Sequence, residues 1–322
     1  MNTQKPWAVF FLTCTINLTT YAADILPDTV VVPGTLPSIL SQTCSDCGLH
    51  SAVSSIEYLT TPKHPQDQSP FLPMKPSRSF LYTVALDHDF GTLEMWKNRD
   101  YSVLKSDCGV SIVSGLMMIS LYGCPPEQDV VLKDGRKIPG WPYETLGQPV
   151  PPAIFRLGLD KSFDGIPEAL KSSLLEDSVV RKKDLYDEEN PYSRIREHLF
   201  YKMIERPKEF TAGFYTQVTE QLRQGHPIVI GISATKDFMD ARGTSVIQGR
   251  GALAGDMHVV LLLGIGTYHG QKDCFYIQNS WGTSWGDGGR GCLSQTYFEK
   301  HFYGGYAVSL PGFFEKEAAL GG

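Results

Sequence analysis

The stretch Gln278-Asn279-Ser280-Trp281-Gly282-Thr283-Ser284-Trp285-Gly286 begins where a short apolar run, Phe275 to Gln278, gives way to a glycine-rich turn. Upstream lies a second run, Val259 to Leu263, opened by His258 and closed by Gly264-Ile265-Gly266. Ile228-Val229-Ile230 and Tyr306 to Leu310 add two more, and short runs bounded by such turns are the signature of strands. The texture of the first half differs. From Cys47 to Leu59, apolar residues recur at three and four (Leu49, Ala52, Val53, Ile56, Leu59), with Ser45 and Asp46 where N-cap residues belong. The small residues between them predict a helix packed closely by its neighbours. A second helix is expected from about Val110 to Leu121, closed by Gly123 and Pro125-Pro126. The charged stretch from about 166 to 224 reads as helical. Ile195, Leu199 and Met203 form one stripe there and Phe214, Val218 and Leu222 another, stopped by Gly225 and Pro227. Thr29 to Val32 reads as a short strand. Helices first and strands later predict an α+β protein with two lobes.

Composition narrows the classes. The chain has 322 residues, with 29 Lys plus Arg against 35 Asp plus Glu and a net charge of −6. Its 42% hydrophobic and 20% charged residues exclude global disorder. There is no basic excess to neutralise phosphates, so nucleic acid is not an expected partner. The 31 Gly and 21 Pro follow no repeat, which excludes collagen and solenoid architectures.

Residues 1–23 read as a secretory signal peptide: Lys5, an apolar stretch opening at Trp7, then Ala22 and Ala23 before Asp24. Thr13, Thr15, Asn17, Thr19 and Thr20 interrupt that stretch far short of a membrane span, so no stable membrane insertion is expected. The expected organisation is 1–23 signal, 24–41 a short Pro-punctuated segment, and 42–322 a single domain. Insertions are expected near 60–100 and 150–212. An exported protein meets an oxidising compartment, so disulfides are expected among Cys44, Cys47, Cys108, Cys124, Cys274 and Cys292.

Four features carry chemistry: Cys47 at the start of its helix, His258 on its strand, Asn279 in the turn segment, and Gln42 shortly before the cysteine. A helix N-terminus offers unpaired N–H groups and the positive end of the dipole, which favour a thiolate. Each feature also has a plain reading: Cys47 paired with Cys44, His258 a core histidine, Asn-Ser-Trp-Gly a turn with aromatic packing. Taken singly, those readings win.

Together the features resemble the papain-like cysteine peptidases. Gln42 to Cys47 with Ser51-Ala52-Val53 and Ile56-Glu57 resembles that family's nucleophile segment. His258 with Gly264 and Gly266 resembles its histidine strand, and Asn279-Ser280-Trp281-Gly282 through Trp285-Gly286 its most specific signature. Asp107-Cys108-Gly109 resembles the segment lining the cleft, with Trp141-Pro142-Tyr143 beyond it. The resemblance implies a helical left lobe and an antiparallel, β-barrel-like right lobe, with the active-site cleft between them. It also implies a secreted hydrolase acting on protein or peptide substrates through a thioester, with no cofactor and no metal. Cys47 would be the nucleophile, His258 its proton partner, Asn279 the orienting group and Gln42 an oxyanion donor. Trp281 would cover the His–Asn bond, and Asp107, Gly109, Trp281 and Trp285 would border the substrate. A thiol acyltransferase of transglutaminase type and a catalytically dead scaffold that binds a partner remain as alternatives.

Departures from the pattern are specific. Gln42 stands five residues before Cys47, where the family spacing is six and places Ser41; Gly48 replaces a large aromatic; Met257 precedes His258 where Asp is common. Ser-Asp-Cys-Gly occurs twice, at 45–48 and 106–109, which makes Cys108 a rival nucleophile. Its 150-residue distance to His258 is nearer the usual separation than the 211 residues from Cys47. Cys47 is preferred for its upstream Gln and the matching helix. The resemblance then pairs Cys44 with Cys108; Cys274 and Cys292 flank the turn segment and are placed to bridge adjacent strands, leaving Cys124 over. Residues 24–41 are too short for the helical pro-segment found in relatives. The insertion at 160–212 reads first as a peripheral decoration; the alternative is that it, or the 60–100 loop, overhangs the cleft and restricts which substrates enter.

Overall fold

The computed structural model describes residues 29–43, 45–62, 73–82, 85, 109–131, 135, 137–138, 140, 142–143, 191–244 and 246–313. Helix α1 spans Cys47–Thr60, and all 14 of its residues are buried. A helix enclosed on every side must satisfy its own hydroxyls. Those of Ser55 and Thr60 donate to the carbonyls of Ala52 and Ile56 at 2.6 and 2.7 Å. Helix α2, Ser114–Tyr122, packs directly on it. A Cβ on Gly115 would stand 2.9 Å from that of Ala52, so the glycine is what lets the two helices meet. Gly123, at φ 65°, ends α2 with its N–H on the Ile119 carbonyl at 2.8 Å.

The remaining elements are β1 (Val30–Val31), β2 (Val130–Val131), β3 (Lys137–Ile138), α3 (Pro191–His198), β4 (Phe200–Glu205), α4 (Ala212–Arg223), β5 (Ile228–Thr235), α5 (Lys236–Met239), β6 (Val246–Ile247), β7 (Leu253–Tyr268), β8 (Gln271–Gln278), β9 (Arg290–Ser294), α6 (Gln295–His301) and β10 (Phe302–Ser309). Among the described residues, one eight-stranded sheet runs in the order β4-β10-β5-β7-β8-β9-β6, with β1 also paired to β7. Its pairs are antiparallel except β6 with β9. Among the described residues the sheet is open, with β4 and β6 at its ends, and its mainly antiparallel pairing with the helices is the α+β architecture expected. Strand β5 lies in the interior and is buried along its whole length. One core joins the two halves, running from Leu49, Val53 and Ile56 of α1 to Val259, Leu261 and Leu263 of β7.

Two expectations change. Ile195, Leu199 and Met203 do not share a helical stripe. Helix α3 ends at His198, and Phe200–Glu205 is a strand paired to β10, which leaves Met203 54% exposed. Aromatic and β-branched residues suit the pleated edge offered by β10, and that long-range pairing overrides a local helical period. The second stripe holds: Phe214, Val218 and Leu222 are buried on α4, capped by Thr211 accepting from the Phe214 N–H. His258 lies inside β7, opposite Ile232, because the strand already begins at Leu253.

The N-terminal segment is laid along the β half. In β1, Val30 pairs with Ile265 and Val31 with Gly264. A Cβ on Gly264 would meet the Val30 carbonyl at 2.8 Å, and one on Gly266 would meet Thr29 Cα at 2.3 Å. These glycines clear the path of β1. Further on, Gln278 donates to the Ser38 carbonyl at 2.9 Å, Arg290 to Pro37 at 2.8 Å, and the Gly282 N–H to Leu40 at 3.1 Å. The 60–100 and 150–212 insertions fall largely outside the described residues, as does the 1–23 segment. Among the described residues, no helix is long and apolar enough to cross a membrane.

Candidate active site

Asn279 follows β8, and its position is set by backbone: its N–H donates to the Gly289 carbonyl at 2.9 Å, closing the turn. Its Oδ1 lies 2.7 Å from His258 Nε2 and also accepts the Ser280 N–H at 2.8 Å. A carbonyl oxygen only accepts, so Nε2 carries the imidazole proton and Nδ1 is left as the basic nitrogen. Turning the amide over would set two donors against its NH2 group. The pair is buried, with His258 at 6% and Asn279 at 2% exposure. Trp281 lies over the imidazole, ring centroids 4.5 Å apart, and Phe238 meets it at 5.6 Å. Burial pushes His258 down to about 4, against the opposing pull of the Asn279 bond.

Cys47 is the first residue of α1 and is free and buried. Its sulfur faces the N–H groups of Val259, the residue after His258, of Gly48, and of Cys47 itself. Burial pushes the thiol up; those N–H groups oppose the shift, and the Asp46 charge adds to it. With His258 pushed down and Cys47 up, the site favours a neutral thiol and a neutral imidazole.

Gln42 is carried in by the same N-terminal segment. Its N–H donates to the Ser280 carbonyl at 2.7 Å, and its side-chain Oε1 accepts a short hydrogen bond from the Ser280 hydroxyl. That anchor leaves the amide nitrogen as the donor end. Ser41, at the usual family spacing, instead bridges Trp281 through its backbone. The one-residue shift is absorbed because the segment is tied to residues 280–282 rather than to the helix.

Trp285 is a correction. It is 2% exposed, and its indole N–H donates to the Phe238 carbonyl at 2.8 Å. A side chain so buried braces Phe238 and has no face for substrate. Trp281 is half-buried. Gly109 is exposed, and a Cβ there would lie 4.0 Å from that of Ser45. Gly109 therefore lies close to the turn before α1. Asp107, Cys108 and Cys44 lie outside the described residues, and the Cys44–Cys108 pairing with them. Cys274 and Cys292 are joined across β8 and β9, Cα atoms 5.3 Å apart. Cys124 is buried and free.

Two departures acquire reasons. Gly48 lies under residues 111–112, where a Cβ would meet the Ser111 carbonyl at 3.2 Å, so a large aromatic has no room. Met257 is 47% exposed, and its sulfur and Ile112 Cδ1 each stand 3.1 Å from where a Gly231 Cβ would be. Sequence reading noted Met257 only as a missing Asp; that it and Ile112 both lie over Gly231 depends on three distant segments. Among the described residues no group of side chains is arranged to hold a metal.

Comparison with known proteins agrees with this picture. Residues 169–297 match the family described as papain family cysteine protease, a span that contains His258 and Asn279 and starts after Cys47. "Peptidase 1" of Dermatophagoides farinae is 35% identical over 78 residues, 23% of this chain and 24% of that protein. A "Cysteine protease" of Blomia tropicalis is 36% identical over 77 residues, 23% of this chain and 22% of that protein. The chain thus spans about a quarter of the length of these relatives. The crystal structure of xylellain, a cysteine protease from Xylella fastidiosa, has the same fold, with a TM-score of 0.52 at 15% identity over 90% of each chain. Signature segment, fold and the matched span 169–297 all point the same way: the chain is similar to the papain-like cysteine peptidases and has their fold.

Proposed function

We propose that this protein is a secreted cysteine peptidase that hydrolyses peptide bonds through Cys47, His258, Asn279 and Gln42. The observation that carries the reading is the buried His258–Asn279 bond under Trp281, next to the Val259 N–H that faces the Cys47 sulfur. Nδ1 of His258 takes the thiol proton as the sulfur attacks the scissile carbonyl. The developing oxyanion is met by the Cys47 N–H and the Gln42 amide. His258 then gives its proton to the leaving amine, and a thioester remains on Cys47. Water, activated by the same nitrogen, hydrolyses it. Ile112 and Met257, both lying over Gly231 one strand from His258, favour peptides with an apolar side chain near the cut.

Secretion rests on the signal-like segment and on the Cys274–Cys292 bond, which suits an oxidising compartment. A catalytically dead scaffold is favoured by one observation: the buried thiol is pushed up and the imidazole pushed down, the opposite of what a resident ion pair would do. Labelling with a thiol-directed epoxide, adduct mapping and hydrolysis of a peptide library separate the two. The peptidase reading expects an adduct on Cys47 and cleavage abolished by it. An adduct on Cys108 moves the nucleophile, and no cleavage by the folded protein favours the scaffold.

A further inference from the structure

Residues 35–40, which lead to Gln42, form no helix or strand, so no local hydrogen-bond pattern sets where Gln42 stands. Contacts from elsewhere do. Arg290 opens β9 directly opposite Gln278, the last residue of β8. Its Nε donates to Gln278 Oε1 at 3.2 Å and its Nη2 to the Pro37 carbonyl at 2.8 Å. Gln278 is 3% exposed, and its Nε2 donates in turn to the Ser38 carbonyl at 2.9 Å. A guanidinium only donates, so the Gln278 oxygen has to face Arg290 and its NH2 group the segment. One cation thus holds two consecutive carbonyls, the first directly and the second through the amide it orients. Arg290 makes no ion pair among the described residues, and its donors are aimed at neutral carbonyls instead.

The path from there to Gln42 is tied at each step. Ser38 Oγ crosses to α1, donating to Glu57 Oε2 at 2.7 Å. Ile39 lies on Gly289, where φ is 92° and a Cβ would stand 2.4 Å from Ile39 Cγ2. The Leu40 carbonyl accepts the Gly282 N–H at 3.1 Å, and the Gln42 N–H donates to the Ser280 carbonyl at 2.7 Å. Removing the Arg290 donors frees Pro37 and lets the Gln278 amide turn over, so the segment loses its first two anchors together.

We propose that Arg290, through Pro37 and the Gln278–Ser38 contact, is a positioning residue for Gln42, a role that rests on Gln42 being the oxyanion donor of the peptidase reading. A displacement of about 1 Å at a group aimed at the transition state can cost about 100-fold in rate. Substrate binding, which does not use the oxyanion, is little affected.

Arg290→Met keeps the reach of the side chain and removes its donors. Its kcat is expected to fall about 10- to 100-fold with KM little changed, and Arg290→Lys, a single-point donor, is expected to lie between. Made on Gln42→Ala, the same Arg290→Met change is expected to lower kcat less than about twofold, because the group it positions is gone. Gln278→Met breaks the second anchor and serves if Arg290→Met does not fold. An equal loss with and without Gln42, or no loss, would make Arg290 a structural support and overturn the inference. Amide exchange is measured on the same variants. The Gln42 and Gly282 N–H groups are expected to exchange about tenfold faster in Arg290→Met. The Val308 N–H, bonded to Pro227 at 3.0 Å, is expected to be unchanged. If the wild type cleaves no peptide, the peptidase reading falls and exchange decides: acceleration confined to Gln42 and Gly282 upholds the positioning, and unchanged exchange overturns it.

Discussion

Asn279 Oδ1 accepts from His258 Nε2 at 2.7 Å while also accepting the Ser280 N–H, so one side-chain oxygen selects the imidazole tautomer. The other ring nitrogen, Nδ1, is thereby the basic one. Asn279 orients the imidazole without moving protons itself, and removing it should weaken catalysis without ending it. A hydrogen bond to a group that becomes charged contributes about 1.5–3 kcal/mol. Asn279→Ala should therefore lower kcat/KM by about 10- to 100-fold. Steady-state kinetics check this; a loss as complete as that of Cys47→Ala would give Asn279 a different role.

Gln42 offers its amide nitrogen because Ser280 holds its oxygen. Gln42→Ala should reduce kcat by about 100- to 1000-fold with KM little changed, the signature of a donor used in the transition state. Ser280→Ala frees the amide to rotate and should produce a smaller loss of the same kind. Equal kcat in Gln42→Ala and wild type would place the oxyanion elsewhere.

Histidine burial makes a stability prediction with a definite sign. His258 and His50 are held down to about 4 and about 3, against an ordinary value of 6.5. Below 6.5 the unfolded chain binds protons that the folded chain refuses, so stability falls as pH drops and rises as pH increases across that window. The contribution is intact above 6.5 and is lost by about pH 4 for His258 and pH 3 for His50. Urea midpoints measured between pH 3 and 7 should therefore climb with pH. His50→Gln should show a shallower climb, by about one proton's worth of slope. An unchanged slope would mean that His50 is protonated in the native protein.

Strand β1 depends on bare backbone opposite it. Gly264→Val would drive a Cβ into the Val30 carbonyl, 2.8 Å away, and force β1 off β7. The expected cost is about 1–3 kcal/mol. Amide exchange at Val32, whose N–H donates to the Leu263 carbonyl at 2.8 Å, should accelerate in the variant. Protection equal to wild type at that amide would show that the strand tolerates the side chain.

Much of the site was legible because local order carries it. The Asn279 segment, the His258 strand and the small-residue helix after Cys47 each announce themselves by composition over a dozen residues or fewer. Their meeting was legible only through resemblance, since no periodicity says that residue 42 lies against residue 280. Trp285 reads like Trp281 in a line of sequence. The fold buries one beneath Phe238 and leaves the other over the imidazole.

Sequence alone determined the elements whose signal is local: α1 with its enclosed face, α4 with its stripe, the apolar cores of β5, β7, β8 and β10, and the turn at Asn279. The backbone geometry of a helix or strand depends on neighbours within a few residues, and so does the pattern that reveals it. Tertiary structure decided the rest. Met203 went to a strand because β10 lies beside it, Gly264 and Gly266 were required by β1, and Asp46 left its helix cap for Tyr143 and His50. In each case the partner is distant in sequence, and its contribution outweighs a local preference worth about 1 kcal/mol or less.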